Sequence, residues 1–212
     1  MTSMKTEIKG CLCANLDNGL DAWIIQSGFV RRKNTLVYAR ELTEAVQKIE
    51  VAIEIHPKDQ PDAAAVVFPF VDVRMDAVNS LVMKMVNGDG SLIGAPEITL
   101  REPIAFTSGN KGLGARWPIF QPDSVPEVVS ELRSFLQRWT IPFLDSYKTP
   151  PGICEAYDRG DARVITHHLH VAAAMALCGR TADAVAVMER HFGRPGPRKR
   201  YQRVFDYLIG RP

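Results

Sequence analysis

Three of the chain's five histidines, His167, His168 and His170, stand within four consecutive positions. Imidazole both ligates divalent transition metals and moves protons near neutral pH. On a helix, His167 and His170 are one turn apart and share a face, so they could form half of a metal site. The remaining ligands would come from Cys154, Glu155, Asp158 or Asp161. The spacing matches no zinc signature, His-Glu-x-x-His included. His168 is offset from that face and is expected to pack near Ala172 and Met175. Packing and capping therefore compete with a metal-dependent enzyme as the role of the cluster.

A second chemistry is electrostatic. Arg194, Arg198, Lys199, Arg200 and Arg203 follow closely on one another, with Tyr201 among them and no acid between Arg194 and Arg203. Such a run can contact phosphates, and its aromatic ring can stack on a base. Cations at the start of a helix also oppose its dipole, which an anionic partner would relieve. Arg31-Arg32-Lys33 is a shorter basic run. The net charge of +2 weighs against general nucleic-acid binding, which goes with a larger basic excess.

A third possibility is a docking surface. From Ile49 to His56 apolar residues occupy every second position, and Glu50, Glu54 and His56 fall on the other side. That alternation predicts a half-buried strand with one solvated face. A polar sheet face of this kind, or an exposed strand edge, can engage another protein. No catalytic residue and no cofactor is assigned. Gly-x-Ser-x-Gly is absent, and Ser108 to Gly114 lacks the residue order of a phosphate-binding loop. Cys11 and Cys13 are two apart, so on a helix they diverge.

The elements that would position these residues change character along the chain. Leu12, Leu16, Leu20, Trp23 and Ile24 predict a helix over residues 8–27, stopped at Gly28. Strands are expected at Thr35–Ala39, Ile49–His56, Ala65–Met75 and Glu97–Phe106, with a turn at Lys33-Asn34 and a loop from Ser108 to Ala115. Pro69 makes the third of these an edge or bulged strand, and Asp76 is expected to cap a short helix after it. Ser124-Val125-Pro126-Glu127 begins a helical portion: a hydroxyl cap, an early proline and an acid. Val128, Val129, Leu132, Phe135, Leu136 and Trp139 form its first apolar face. Further helices are expected at Arg163–Leu177, Ala182–His191 and Arg198–Ile209, the last burying Val204, Phe205, Leu208 and Ile209.

Strands followed by helices predict an α+β fold: an antiparallel sheet packed against helices, with a C-terminal helical cluster. The 212 residues suit a single domain, 1–212, the alternative being a subdivision into 1–122, helix plus sheet, and 123–212, helical. No stretch reaches the ~20 apolar residues of a membrane-spanning helix. Four cysteines without a secretory leader lead to an expectation of a cytoplasmic protein with reduced thiols.

The stretch Gly28-Phe29-Val30-Arg31-Arg32-Lys33-Asn34-Thr35-Leu36-Val37-Tyr38, with Phe143-Leu144-Asp145 further on, resembles a bacterial domain-of-unknown-function family. Members open with a helix and a Gly-Phe-(basic)-Asn-Thr-aromatic motif, then continue into an antiparallel sheet. The resemblance covers residues 10–148 and brings no catalytic residues with it. Similar small α+β proteins serve as immunity partners or accessory proteins in bacterial conflict systems. A non-enzymatic protein-binding role is thus the leading expectation. Polyanion binding and a histidine-centred metal enzyme are the alternatives.

Overall fold

The computed structural model describes residues 4–32, 34–93, 98–109, 115–161, 163 and 167–210. Lys33, Glu97, the glycine-rich 110–114 and residues 164–166 lie outside the described residues.

The chain is α+β, as its patterning predicts. Helices α1 (Met4–Leu16) and α2 (Ala22–Ile24) precede β1 (Val30–Arg31), β2 (Val37–Glu41), β3 (Val46–Glu50), β4 (Ile53–Ile55), β5 (Ala65–Val67) and β6 (Phe70–Arg74). Helix α3 (Asp76–Met85), β7 (Leu100–Pro103) and β8 (Trp117–Ile119) follow. The remainder is helical: α4 (Val125–Phe135), α5 (Ile141–Ser146), α6 (Pro150–Asp158), α7 (His168–Leu177), α8 (Thr181–Phe192), α9 (Pro195–Arg200) and α10 (Gln202–Leu208). One sheet has five strands in the order β1-β2-β3-β6-β7, and a second has three in the order β4-β5-β8. The pairs β1–β2, β2–β3, β4–β5 and β5–β8 are antiparallel.

Two runs read as single strands each serve both sheets. Ile49–His56 divides at Val51-Ala52 between β3 and β4, and Ala65–Met75 divides at Phe68-Pro69 between β5 and β6. Pro69 has no amide hydrogen for a ladder. It sits where pairing changes sheets, and its carbonyl accepts from Ile104 N at 2.8 Å. The edge placement expected from Pro69 is corrected, since β5 and β6 are both interior to their sheets.

The chain forms two compact units, which interleave along the sequence. The first comprises residues 1–41, 46–72 and 101–145. Its helical stripe Ile8, Leu12, Leu16, Leu20 and Ile24 is buried throughout and packs against α4. Steps of four residues drift about 40° each on an α-helix, whose residues turn by ~100°. A wider π turn at Asp17–Asp21 takes up that drift and keeps the stripe on one side. A second π turn, Leu136–Thr140, precedes Pro142, which has no amide hydrogen for the ladder. Trp139 ends up 37% exposed rather than on the apolar face. Ser124 directs its hydroxyl to Gln121 O at 2.8 Å and makes no capping bond to α4.

The second unit comprises residues 42–45, 73–100 and 146–212. Here α7 packs against α3, α6 and α8, and Val171 to Met175 are buried on all sides of the helix. Asp76 lies in the first turn of α3 and is not its cap; Met75 holds that place, its N–H donating to Thr99 Oγ1 at 2.8 Å. The last predicted helix is broken at Tyr201 into α9 and α10, and Ile209 is 45% exposed. No helix among the described residues is long and apolar enough to cross a membrane.

Candidate functional site

The histidine cluster sits where α6 and α7 pack within the second unit. Thr149 starts α6 from an extended conformation, its hydroxyl accepting from Gly152 N at 3.4 Å. A Cβ at Gly152 would stand 2.2 Å from the Ser146 carbonyl oxygen, so only glycine permits this close return of the chain. Helix α7 begins at His168, with His167 as its N-cap, later than the Arg163 start expected. His167 and His170 both line a small cavity with Tyr147, Ile153, Val171, Val73, Thr99 and Leu100. Its volume is about 10 Å³ as space open to the centre of a water-sized sphere, enough for a single water.

His167 precedes the helix and so shares no helical face with His170, yet the two rings meet at the cavity, with centroids 6.4 Å apart and planes at 71°. Burial, then the neighbouring His167, pushes the His170 imidazole down to about 4. It is neutral at physiological pH, and its buried Nε2 makes no hydrogen bond. Burial likewise holds the Tyr147 phenol protonated, reinforced by the charge of Asp161.

The other metal ligands expected from the sequence are engaged elsewhere. Asp161 pairs with Arg163 at 2.6 Å and Asp158 with Arg180 at 2.7 Å. Glu155 lies 3.9 Å from Arg159 on the surface of α6. Cys154 Sγ lies 3.8 Å from Cys178 Sγ. Among the described residues, no group of three or more His, Cys, Asp or Glu side chains is placed to hold a metal ion.

His168 makes its ring contacts with α8. Its ring stacks on His191 of α8, centroids 3.5 Å apart and planes at 13°, with the edge of Phe192 at 5.6 Å. Burial, then His191 and His167, pushes His168 to about 4. His191 is lowered too, by burial and by Arg190. Both rings are held uncharged.

The basic clusters are less uniform than the sequence suggests. Arg198, Lys199 and Arg200 occupy the last turn of the six-residue α9, where cations favour the helix dipole. The electrostatic misplacement expected of the cluster is corrected for these three, whereas Arg194 is the N-cap of α9 and Arg203 stands in the first turn of α10. Arg198 ion-pairs with Glu189 and lies over the Phe205 ring, 4.2 Å from its centroid. Arg194, Lys199, Arg200 and Arg203 are exposed. Arg31 turns away from its run: it pairs with Asp17 and Asp21, and its side chain is 2% exposed.

The polar strand face is divided. Glu50, on β3, accepts from Arg101 Nη2 at 2.7 Å, and Arg101 also binds Asp72 and covers the Phe70 ring. Burial raises the Asp72 pKa, against the opposing charge of Arg101. Glu54, on β4 of the other sheet, meets Arg116 at 3.2 Å. His56 is exposed, with a positive φ of 52°. The single docking face expected of Glu50, Glu54 and His56 is not formed by one sheet.

Two buried polar arrangements escaped the sequence. Arg40, 6% exposed, donates to Gln47 Oε1 at 3.0 and 2.5 Å and to Ser27 O at 2.8 Å, pairs with Asp145 at 2.9 Å, and stacks over Phe29. Tyr38, fully buried, donates to Asp21 Oδ1 at 2.6 Å. The alternation along β2 that turns Tyr38 inward turns Arg40 inward as well, and that was the available signal. No protein-family model, curated protein or solved structure matches this chain.

Proposed function

We propose that this chain is a non-enzymatic protein-binding protein, of the immunity or accessory type implied by its resemblance, and that its partner docks at the β1 end of the five-stranded sheet. The observation that carries this reading is the apolar exposure there. Val30, on β1, is 60% exposed, and Ile25, in the turn leading to it, is 58% exposed. Among the described residues β1 has a strand on one side only. A strand at a sheet's end offers main-chain donors and acceptors for an added strand, and apolar side chains beside it supply burial. Arg31 is committed to Asp17 and Asp21, so its charge does not guard this edge. Glu50 and Glu54 are held in ion pairs and contribute at most a rim.

The test is affinity capture from the native host with the wild-type chain and with Ile25→Glu/Val30→Glu. Both positions are exposed, so circular dichroism of the double variant should be unchanged. A stoichiometric protein held by the wild type and lost from the variant is expected. The same protein recovered with both, or none with either, overturns the reading.

A second reading is polyanion binding through Arg194, Lys199, Arg200 and Arg203. It is favoured by the anchoring of Arg198 on Glu189 and Phe205, which leaves the flanking cations exposed. It requires affinity for a nucleic-acid oligomer that falls steeply with salt.

A further inference from the structure

Cys154 and Cys178 are 24 positions apart in the sequence, yet their sulfurs are 3.8 Å apart, in van der Waals contact. Cys154 lies on α6 with 3% of its surface exposed. Cys178 is the half-buried C-cap of α7, followed by Gly179 at φ 75°. A disulfide requires the sulfurs to close to about 2 Å. Cys178 ends its helix beside a left-handed glycine, so that closure needs only a local adjustment of the cap.

We propose that Cys154 and Cys178 are a reversible oxidation site, closing to an intramolecular disulfide in response to a low-molecular-weight disulfide of the glutathione class. The more accessible Cys178 reacts first. Its thiolate attacks one sulfur of oxidised glutathione, a Cys178–glutathione bond forms, the original disulfide breaks and one glutathione thiolate leaves. Cys154 then attacks Cys178 Sγ, the protein disulfide forms, and the second glutathione leaves and takes up the Cys154 proton. The two cysteine thiols are thereby oxidised and one oxidised glutathione is reduced to two glutathione thiols. Burial, then the adjoining Cys178, pushes the Cys154 thiol up to about 12, which disfavours it as the attacker of an external disulfide. The bond would tie α6 to the far end of α7, the helices that carry the histidine cavity. Cys11 and Cys13, on α1, are the internal comparison: Cys11 Sγ approaches the Pro122 carbonyl at 3.9 Å instead of a thiol.

The full chain is equilibrated in glutathione buffers of rising oxidised fraction, acid-quenched, alkylated and mapped by mass spectrometry. One disulfide, Cys154 to Cys178, is expected, with a mass lower by two hydrogens. It should be reversed by dithiothreitol, with Cys11 and Cys13 still alkylated. The oxidised protein should melt at a higher temperature than the reduced one. Cys154→Ser should stop at a glutathione adduct on Cys178, whereas Cys178→Ser should form neither the disulfide nor an adduct at buried Cys154. The Cys178→Ser arm stands by itself if the core substitution at Cys154 prevents folding. Four free thiols in the most oxidising buffer, or a disulfide to Cys11 or Cys13, overturns the proposal.

Discussion

Arg40 shows what one buried charge does to a small sheet. Its guanidinium spans β2, β3, the turn before Gly28 and the end of α5, through Gln47, Ser27 and Asp145. Gly28 is needed at this point for two reasons: its φ is 80°, and a Cβ there would lie 3.2 Å from Arg40 Cδ. Gln47 in turn donates to Leu144 O at 2.7 Å, extending the same connection. Removing the guanidinium takes from Gln47 both Arg40 donors in a fully buried setting. Arg40→Ala should therefore cost about 3 kcal/mol, as expected when a buried charged partner is removed. Arg40→Lys should restore only part of this, because an ammonium cannot span the same fork. Urea unfolding with an unchanged slope and a lower midpoint would verify the pair of effects.

At the scale of elements, α7 and α8 are joined by a contact sensitive to acid. His168 and His191 stack face to face, with Phe192 at the edge and His167 and Arg190 adding positive charge nearby. His168 and His170 both titrate near 4 in the fold, below the 6.5 of a free imidazole. Between those values the unfolded chain binds more protons than the folded one, so stability increases with pH across the window. It is complete above about pH 6.5 and declines as the pH falls toward 4. The loss between pH 7 and 4.5 should be about 3 kcal/mol after allowance for the partial exposure of His168. In His168→Phe, which keeps an aromatic ring on His191, that decline should be smaller. Denaturation midpoints at the two pH values measure the difference. An equal decline in both proteins would exclude the stack as its source.

For the whole molecule, chain order and packing order do not coincide. Residues 123–145 belong to the first unit, with α1 and the strands, whereas 73–100, which contain α3, belong to the second with α6 to α10. Cutting the chain at residue 122 would separate α4 from α1, and α3 from α7 and α10, each of which it packs against. Fragments 1–122 and 123–212 are therefore expected to lack a cooperative thermal transition by circular dichroism when expressed separately. A sharp transition in either would show that the buried stripe of α1 or the buried side chains of α7 can be covered without their partners. Periodicity by itself determined the fold class, the stripe Leu12, Leu16, Leu20 and Ile24 and the stop at Gly28, because each follows from backbone repeat and local sterics. Tertiary structure alone decided the switch between sheets at Val51 and Pro69, the burial of Arg40, the capture of Asp158 and Asp161 by arginines, and the meeting of Cys154 with Cys178. Those depend on which distant surfaces come together, and spacing along the chain carries no term for that.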